Sequence, residues 1–126
     1  MGSGTMSYSN EEHQEQKFLF EWWANMCQRY KIPSELLFAI PNGGKRNIIT
    51  AKLLKDEGVK AGVPDVFLAV PRKDFNGLFI EMKKKKGGVV SENQTKMLEL
   101  LNRVGYKAVV CNGAEAAVKE IVSYLM

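Results

Sequence analysis

The chain has 126 residues, a length that predicts a single globular domain. Its composition, 45% hydrophobic and 25% charged, is ordinary for such a domain. No apolar run approaches the roughly 20 residues that span a membrane, and the first residues lack the apolar segment of a signal peptide. Two distant cysteines and a single histidine argue against a disulfide framework, a zinc site or a multi-histidine metal site. We therefore expect a cytoplasmic protein.

Positive charge is concentrated in the centre of the chain. Residues 42–88 contain eleven Lys or Arg against five acids, whereas the remaining residues contain seven against nine. A basic centre suits a polyanionic ligand such as a nucleic acid, and a solvated basic face explains the same charge equally well.

The N-terminal half begins with an amphipathic helix. Residues 1–5 are typical of a cloning remnant and stand outside the single predicted domain, residues 6–126. Apolar side chains spaced by three or four residues predict a helix over about residues 10–30. These side chains are Leu19, Trp23, Met26 and Tyr30. A short strand at 36–40 and a second helix at about 46–57 follow, separated by a Pro-Asn-Gly-Gly loop.

The C-terminal half predicts a hairpin and two further helices. Residues 65–70 and 78–83 are strand-like, and the short turn between them favours antiparallel pairing. Residues 91–104 open on a capping-box pattern and predict a helix. A strand at 106–111 and a helix at 114–125 complete the chain. The predicted fold class is α/β, a mixed β-sheet flanked by α-helices.

Three charged residues are predicted to meet at one end of this sheet. Side chains alternate along a strand, so Glu81 and Lys83 share a face, and the hairpin brings Asp65 beside them. Neighbouring carboxylates repel each other unless a proton or a cation intervenes, and their oxygens suit Mg²⁺. A nearby ammonium suits stabilisation of a phosphoryl transition state or deprotonation of the attacking water. The three residues predict phosphodiester hydrolysis, although Glu-x-Lys alone is commonly a structural ion pair.

The motifs as a set resemble a nuclease family. Gly62-Val63-Pro64-Asp65, Ile80-Glu81-Met82-Lys83 and Ser91-Glu92-Asn93-Gln94 resemble the PD-(D/E)xK nuclease superfamily and, within it, the VRR-NUC family. The resemblance implies a restriction-endonuclease-like fold, nuclease activity and dependence on Mg²⁺ or Mn²⁺. It also implies that Asp65, Glu81 and the backbone carbonyl of Met82 bind the metal. Small stand-alone members resemble phage or bacterial proteins that dimerise and cut branched DNA such as Holliday junctions.

Two residues have both a catalytic and a structural interpretation. Glu12 matches the first-helix Glu of the family and lies on the apolar stripe, where a carboxylate needs a partner. An acid in a first helical turn is also favoured by the helix dipole. Gln94 completes the active site in the family, and it can equally bind the backbone N–H of Ser91 as a capping-box residue. We place both in the catalytic set with Asp65, Glu81 and Lys83.

Five basic residues are predicted to contact the DNA backbone, with plain solvated charge as the alternative. They are Lys45, Arg46, Lys84, Lys85 and Lys86. Trp23 is expected in the core, whereas Trp22 at the edge of the stripe could stack on a base or serve a dimer contact.

The sequence therefore predicts a metal-dependent, structure-specific DNA endonuclease of the Holliday-junction-resolvase type. A symmetric junction calls for two active sites related by a two-fold axis, so we expect a homodimer. The alternatives are a monomeric flap or nicking nuclease and a non-catalytic DNA-binding module that uses the basic segment alone. The expected location is the cytoplasm of a bacterium or a phage-infected host cell, without a membrane partner.

Overall fold

The computed structural model describes residues 8–41 and 48–126. Two of the predicted DNA contacts, Lys45 and Arg46, lie outside the described residues. In the described part of the chain no helix is long and apolar enough to cross a membrane.

Helices and strands follow one another in the predicted order. The main elements are α1 (Tyr8–Met26), β1 (Leu37–Ala39), α2 (Ile48–Asp56), β2 (Val66–Leu68), β3 (Leu78–Lys83), α3 (Glu92–Arg103), β4 (Lys107–Asn112) and α4 (Ala114–Leu125). The predicted α/β fold class is confirmed. The first helix is shorter than predicted, because its last turn is a 3₁₀ helix (Cys27–Tyr30) that ends at Lys31 in a left-handed conformation.

The four strands form one mixed sheet in the order β1-β2-β3-β4. β2 and β3 form the predicted antiparallel hairpin, in which Val66 pairs with Ile80 and Phe67 pairs with Phe79. β4 lies parallel to β3 on the other side. The register of the hairpin carries Asp65, one residue before β2, to the position opposite Glu81.

One face of the sheet packs against α1 and α4 and forms the core. Leu78, Ile80 and Met82 of β3 are at most 1% exposed and belong to the same buried cluster as Leu19 and Trp23. Burial of each such side chain contributes roughly 1.5–3 kcal/mol. The predicted core position of Trp23 is confirmed, and its indole N–H donates to the carbonyl of Ser34 at 2.9 Å. Trp22 is half-buried against the same core.

The opposite face of the sheet carries Glu81 and Lys83, and α3 lies over it beside β4. The Asn102 side chain binds both the N–H and the carbonyl of Ala108 and so fixes α3 to β4. Farther along the same face, the stacked rings of Phe67 and Phe79 are 4.2 Å apart. The first turn of α3 is thereby held at the end of the sheet where β3 terminates.

Candidate active site

Asp65 is anchored between two strands. Its Oδ2 accepts a hydrogen bond from the backbone N–H of Met82 at 2.8 Å, and its carbonyl accepts one from the N–H of Ile40 at 2.7 Å. The preceding residue, Pro64, is fully buried. These contacts hold the half-buried Asp65 carboxyl beside β3, where the alternation of the strands predicts it.

Glu81 is a buried carboxyl with one oxygen satisfied and one not. The residue is 3% exposed, and its Oε2 accepts a hydrogen bond from Nε2 of Gln94 at 2.9 Å. Its Oε1 is buried and has no hydrogen-bond partner when both carboxyls are ionised, whereas a protonated Glu81 shares a side-chain hydrogen bond with Asp65. The pKa of Glu81 is raised from 4.5 to about 8, first by burial and next by the neighbouring Asp65 carboxyl, whose effect is larger than the opposing effect of Lys83. Such a carboxyl gains strongly from additional positive charge placed beside it.

Lys83 is buried next to Glu81, at 7% exposure. Its Nζ lies 3.6 Å from Glu81 Oε2, which is an ion-pair distance when Glu81 is ionised and is too long for a short hydrogen bond. The loop after β3 passes closely over its stem, since a Cβ at Gly88 would stand 2.9 Å from Lys83 Cβ. An ammonium has three donors, so Lys83 can serve a further anionic oxygen from this position.

Gln94 forms the capping box and also contacts Glu81, while its catalytic role stays a prediction. Its Oε1 accepts the N–H of Ser91 at 2.8 Å, and its own N–H donates to Ser91 Oγ at 3.1 Å, which completes the capping box. Because the cap fixes the amide oxygen, the amide nitrogen is directed to Glu81 Oε2. The helix cap therefore orients a side chain of the site.

Gly62 is a supporting residue whose contact the sequence did not reveal. It has a left-handed backbone (φ +86°), and a Cβ there would lie 2.6 Å from the carbonyl carbon of Asn93 and 3.0 Å from the nitrogen of Gln94. The turn that leads to Asp65 thus packs directly on the first turn of α3. Its only signal in the sequence was its place in the Gly-Val-Pro-Asp motif.

Glu12 lies at the same end of the molecule but does not complete a three-carboxylate cluster. It is half-buried and close enough to Glu81 to be the weakest of the causes that raise the pKa of that carboxyl. Within residues 8–41 and 48–126, no three Asp, Glu, His or Cys side chains are arranged to hold a metal ion. A catalytic role for Glu12 stays a prediction.

The lysines after β3 face acids as well as solvent. Lys84, Lys85 and Lys86 line a cleft of about 410 Å³ whose opposite wall includes Glu11 and Glu15 of α1. Glu15 also accepts the N–H of Ala114 at 2.8 Å and so joins α1 to the start of α4. The lysines are placed where a phosphate could reach them, in a surface of mixed charge.

Comparisons with known proteins identify the family to which this fold belongs. The family model described as the VRR-NUC domain matches residues 8–115, which include every described element from α1 to β4. A solved structure described as a VRR_NUC domain protein is 28% identical, with a TM-score of 0.77, and the match covers 90% of this chain and 87% of that one. No curated protein matches the chain significantly. The chain belongs to the VRR-NUC family, a family of nuclease domains.

Proposed function

We propose that the chain is a metal-dependent endonuclease that hydrolyses phosphodiester bonds in DNA. The observation that carries the proposal is Glu81. It is a buried carboxyl with an unpartnered oxygen, and it stands beside a second carboxyl and a buried ammonium. Buried side-chain oxygens nearly always have a hydrogen-bond partner, so the unpartnered oxygen of the ionised Glu81, next to a second carboxyl, is suited to a bound cation. The membership of the chain in a nuclease family supports the same reading.

The residues present fit a divalent cation. Mg²⁺ is commonly held by one or two carboxylates together with water and substrate phosphate, so the two carboxylates of Asp65 and Glu81 are sufficient. Asp65 and Glu81 would hold the ion, with the backbone carbonyl of Met82 as a third oxygen ligand implied by the family. When bound, a divalent cation supplies charge neutralisation at the phosphate and makes water more acidic.

The other residues of the site would orient the Glu81 carboxyl and supply charge around the phosphate. Lys83 would donate to the phosphate oxygen on which negative charge develops, and it is already desolvated, so this interaction is strong. Gln94 would keep the Glu81 carboxyl in one orientation through the bond to Oε2. Glu12 would add a third carboxylate at the same end of the molecule.

The proposed substrate is branched DNA, and the proposed active form is a homodimer of the Holliday-junction-resolvase type. Two copies related by a two-fold axis would present two sites to a symmetric junction. Exposed apolar side chains support an interface between copies: Leu100 on α3 and Val104, the residue that follows this helix, are 49% and 62% exposed.

A cleavage panel tests this function. Labelled four-way junction, flap, duplex and single-stranded DNA would be incubated with the protein in Mg²⁺, Mn²⁺ or EDTA, and the mass of the protein in solution would be measured by light scattering. We expect junction cleavage in either metal, none in EDTA, and the mass of a dimer. Flap cleavage by a monomer would instead support a flap nuclease. DNA that is bound in every metal condition but never cut would support a DNA-binding module.

A further inference from the structure

A second cleft lies beside the candidate active site, on the side of α1 away from the lysine cleft. It has a volume of about 450 Å³, and five described residues line it. They are His13, Gln16, Lys17, Phe20 and Ala39. The volume is within the range of small-ligand sites.

Two connections place this cleft next to the catalytic residues. Ala39 ends β1, and the next residue, Ile40, donates its N–H to the carbonyl of Asp65 at 2.7 Å. Gln16 lies one turn of α1 beyond Glu12, and Glu12 is close enough to Glu81 to raise its pKa. A helical turn advances only about 5.4 Å. A strand of DNA whose phosphate is at Glu81 and Lys83 therefore has a neighbouring nucleotide within reach of the cleft.

The chemistry of the lining matches a nucleotide. Phe20 is partly buried against the core, and the part of it that lines the cleft supplies an apolar surface for a base. Gln16 supplies an amide that can donate and accept hydrogen bonds with a base edge, and Lys17 supplies a cation for a phosphate. His13 adds a second hydrogen-bonding group at the rim. None of the described lining residues is acidic, in contrast with the lysine cleft, where Glu11 and Glu15 form part of the wall.

We propose that the cleft of His13, Gln16, Lys17 and Phe20 binds one unpaired nucleotide of the DNA strand next to the phosphate that is cut. The proposal rests on the proposed function and deepens it, because it assigns a residue set that would hold a base drawn out of pairing at the branch. A base held in the cleft is unavailable for pairing in a continuous duplex. The cleft would therefore favour branched over duplex DNA.

The test combines protein variants with single missing bases in the DNA. Fluorescence anisotropy in EDTA would give the affinity for a four-way junction that carries one abasic site, placed in turn at each position flanking the branch point. Gln16→Ala, Lys17→Gln and Phe20→Leu would be compared with the wild-type chain. Phe18→Ala is the matched control, because Phe18 is on the same helix, is 57% exposed and does not line the cleft.

We expect Phe20→Leu to weaken binding to the intact junction roughly tenfold, the order of one base–aromatic contact. Gln16→Ala should weaken it by about the same factor, through the loss of a hydrogen bond to the base edge. At one position the abasic site should cause a similar loss, and Gln16→Ala should add nothing on that DNA, because two changes in one contact are not additive. Lys17→Gln should reduce the slope of the logarithm of the binding constant against the logarithm of the salt concentration by about one unit, which corresponds to one phosphate contact. Phe18→Ala should have no effect.

The outcomes separate this proposal from the proposed function. Two results would overturn the nucleotide cleft without contradicting Mg²⁺-dependent cleavage. One is that all three variants bind the junction within twofold of wild type. The other is that the affinity lost in each variant adds to the affinity lost at every abasic position. Coupled losses in EDTA without any cleavage in Mg²⁺ would sustain the cleft and overturn the nuclease. Saturation of the cleft by free deoxynucleoside monophosphate, with DNA binding unchanged, would assign the cleft to a free nucleotide and overturn the proposal.

Discussion

The burial of Glu81 predicts that the protein without a divalent cation loses stability as the pH rises. The pKa of this carboxyl is raised from 4.5 to about 8 by desolvation, with Asp65 as the next cause. Below pH 4.5 the group is neutral in both the folded and the unfolded chain and costs nothing. As the pH rises towards 8, the unfolded chain releases this proton first, so the free energy of unfolding falls.

The size of the effect follows from the interval between the two pKa values. Each pH unit in that interval costs about 1.4 kcal/mol, so the free energy of unfolding should fall by roughly 3 kcal/mol between pH 5 and pH 7. In urea, this corresponds to a midpoint lower by about 1–3 M, given the slopes that are typical of small domains. The variant Glu81→Gln carries no such proton and should lack this part of the pH dependence.

Urea denaturation in EDTA, followed by tryptophan fluorescence at several pH values between 5 and 8.5, measures the difference between wild type and Glu81→Gln. Glu92→Gln is the control, since the Glu92 side chain is 82% exposed on the first turn of α3. It should follow the wild-type pH profile. Parallel profiles of wild type and Glu81→Gln would refute the reasoning, because they would show that the buried carboxyl does not change its protonation on folding.

Three further predictions concern the residues around Glu81. Lys83→Ala should lower the rate of cleavage at saturating protein by about 100-fold and leave DNA binding intact. Lys85→Ala, on the exposed loop, should weaken DNA binding, and excess protein should restore its cleavage. If excess protein also restored cleavage by Lys83→Ala, Lys83 would have a role in binding only. Gly62→Ala should lower cleavage and thermal stability, because the new Cβ would displace the first turn of α3. Gly58→Ala introduces the same left-handed strain with no atom within 4 Å of the new Cβ, and it should preserve cleavage. Equal losses of cleavage in the two variants would show that the Gly62–Asn93 contact is immaterial. The affinity for duplex DNA in EDTA should fall with salt at a logarithmic slope of about −3 to −5 per protomer; a slope near zero would mean that the basic segment is only a solvated face.

Much of the site was accessible from the sequence because its elements are local and strongly patterned. The alternation in β3 put Glu81 and Lys83 on one face, and the short connection to β2 determined the pairing that brings Asp65 beside them. The capping box was visible as four consecutive residues, and both of its hydrogen bonds are present.

The features that the sequence did not reveal depend on contacts between distant parts of the chain. The burial of Lys83 follows from the path of the loop at Gly88, and the support of Gln94 follows from the turn at Gly62. The hydrogen bond from Ala114 to Glu15 joins residues 99 positions apart. No local period or motif encodes these approaches, since each depends on how two separately predictable elements are oriented in space.

The most direct test of the central claim is cleavage of a four-way junction by Asp65→Asn at saturating protein in Mg²⁺. The substitution removes an anionic oxygen, while an amide oxygen can still accept the hydrogen bond from the N–H of Met82. Asp74→Asn, an exposed acid in the turn between β2 and β3, is the matched control. We predict that Asp65→Asn binds the junction like wild type and cuts no more than wild type in EDTA, with Asp74→Asn fully active. Near-wild-type cleavage by Asp65→Asn would contradict a metal-dependent site built on Asp65 and Glu81.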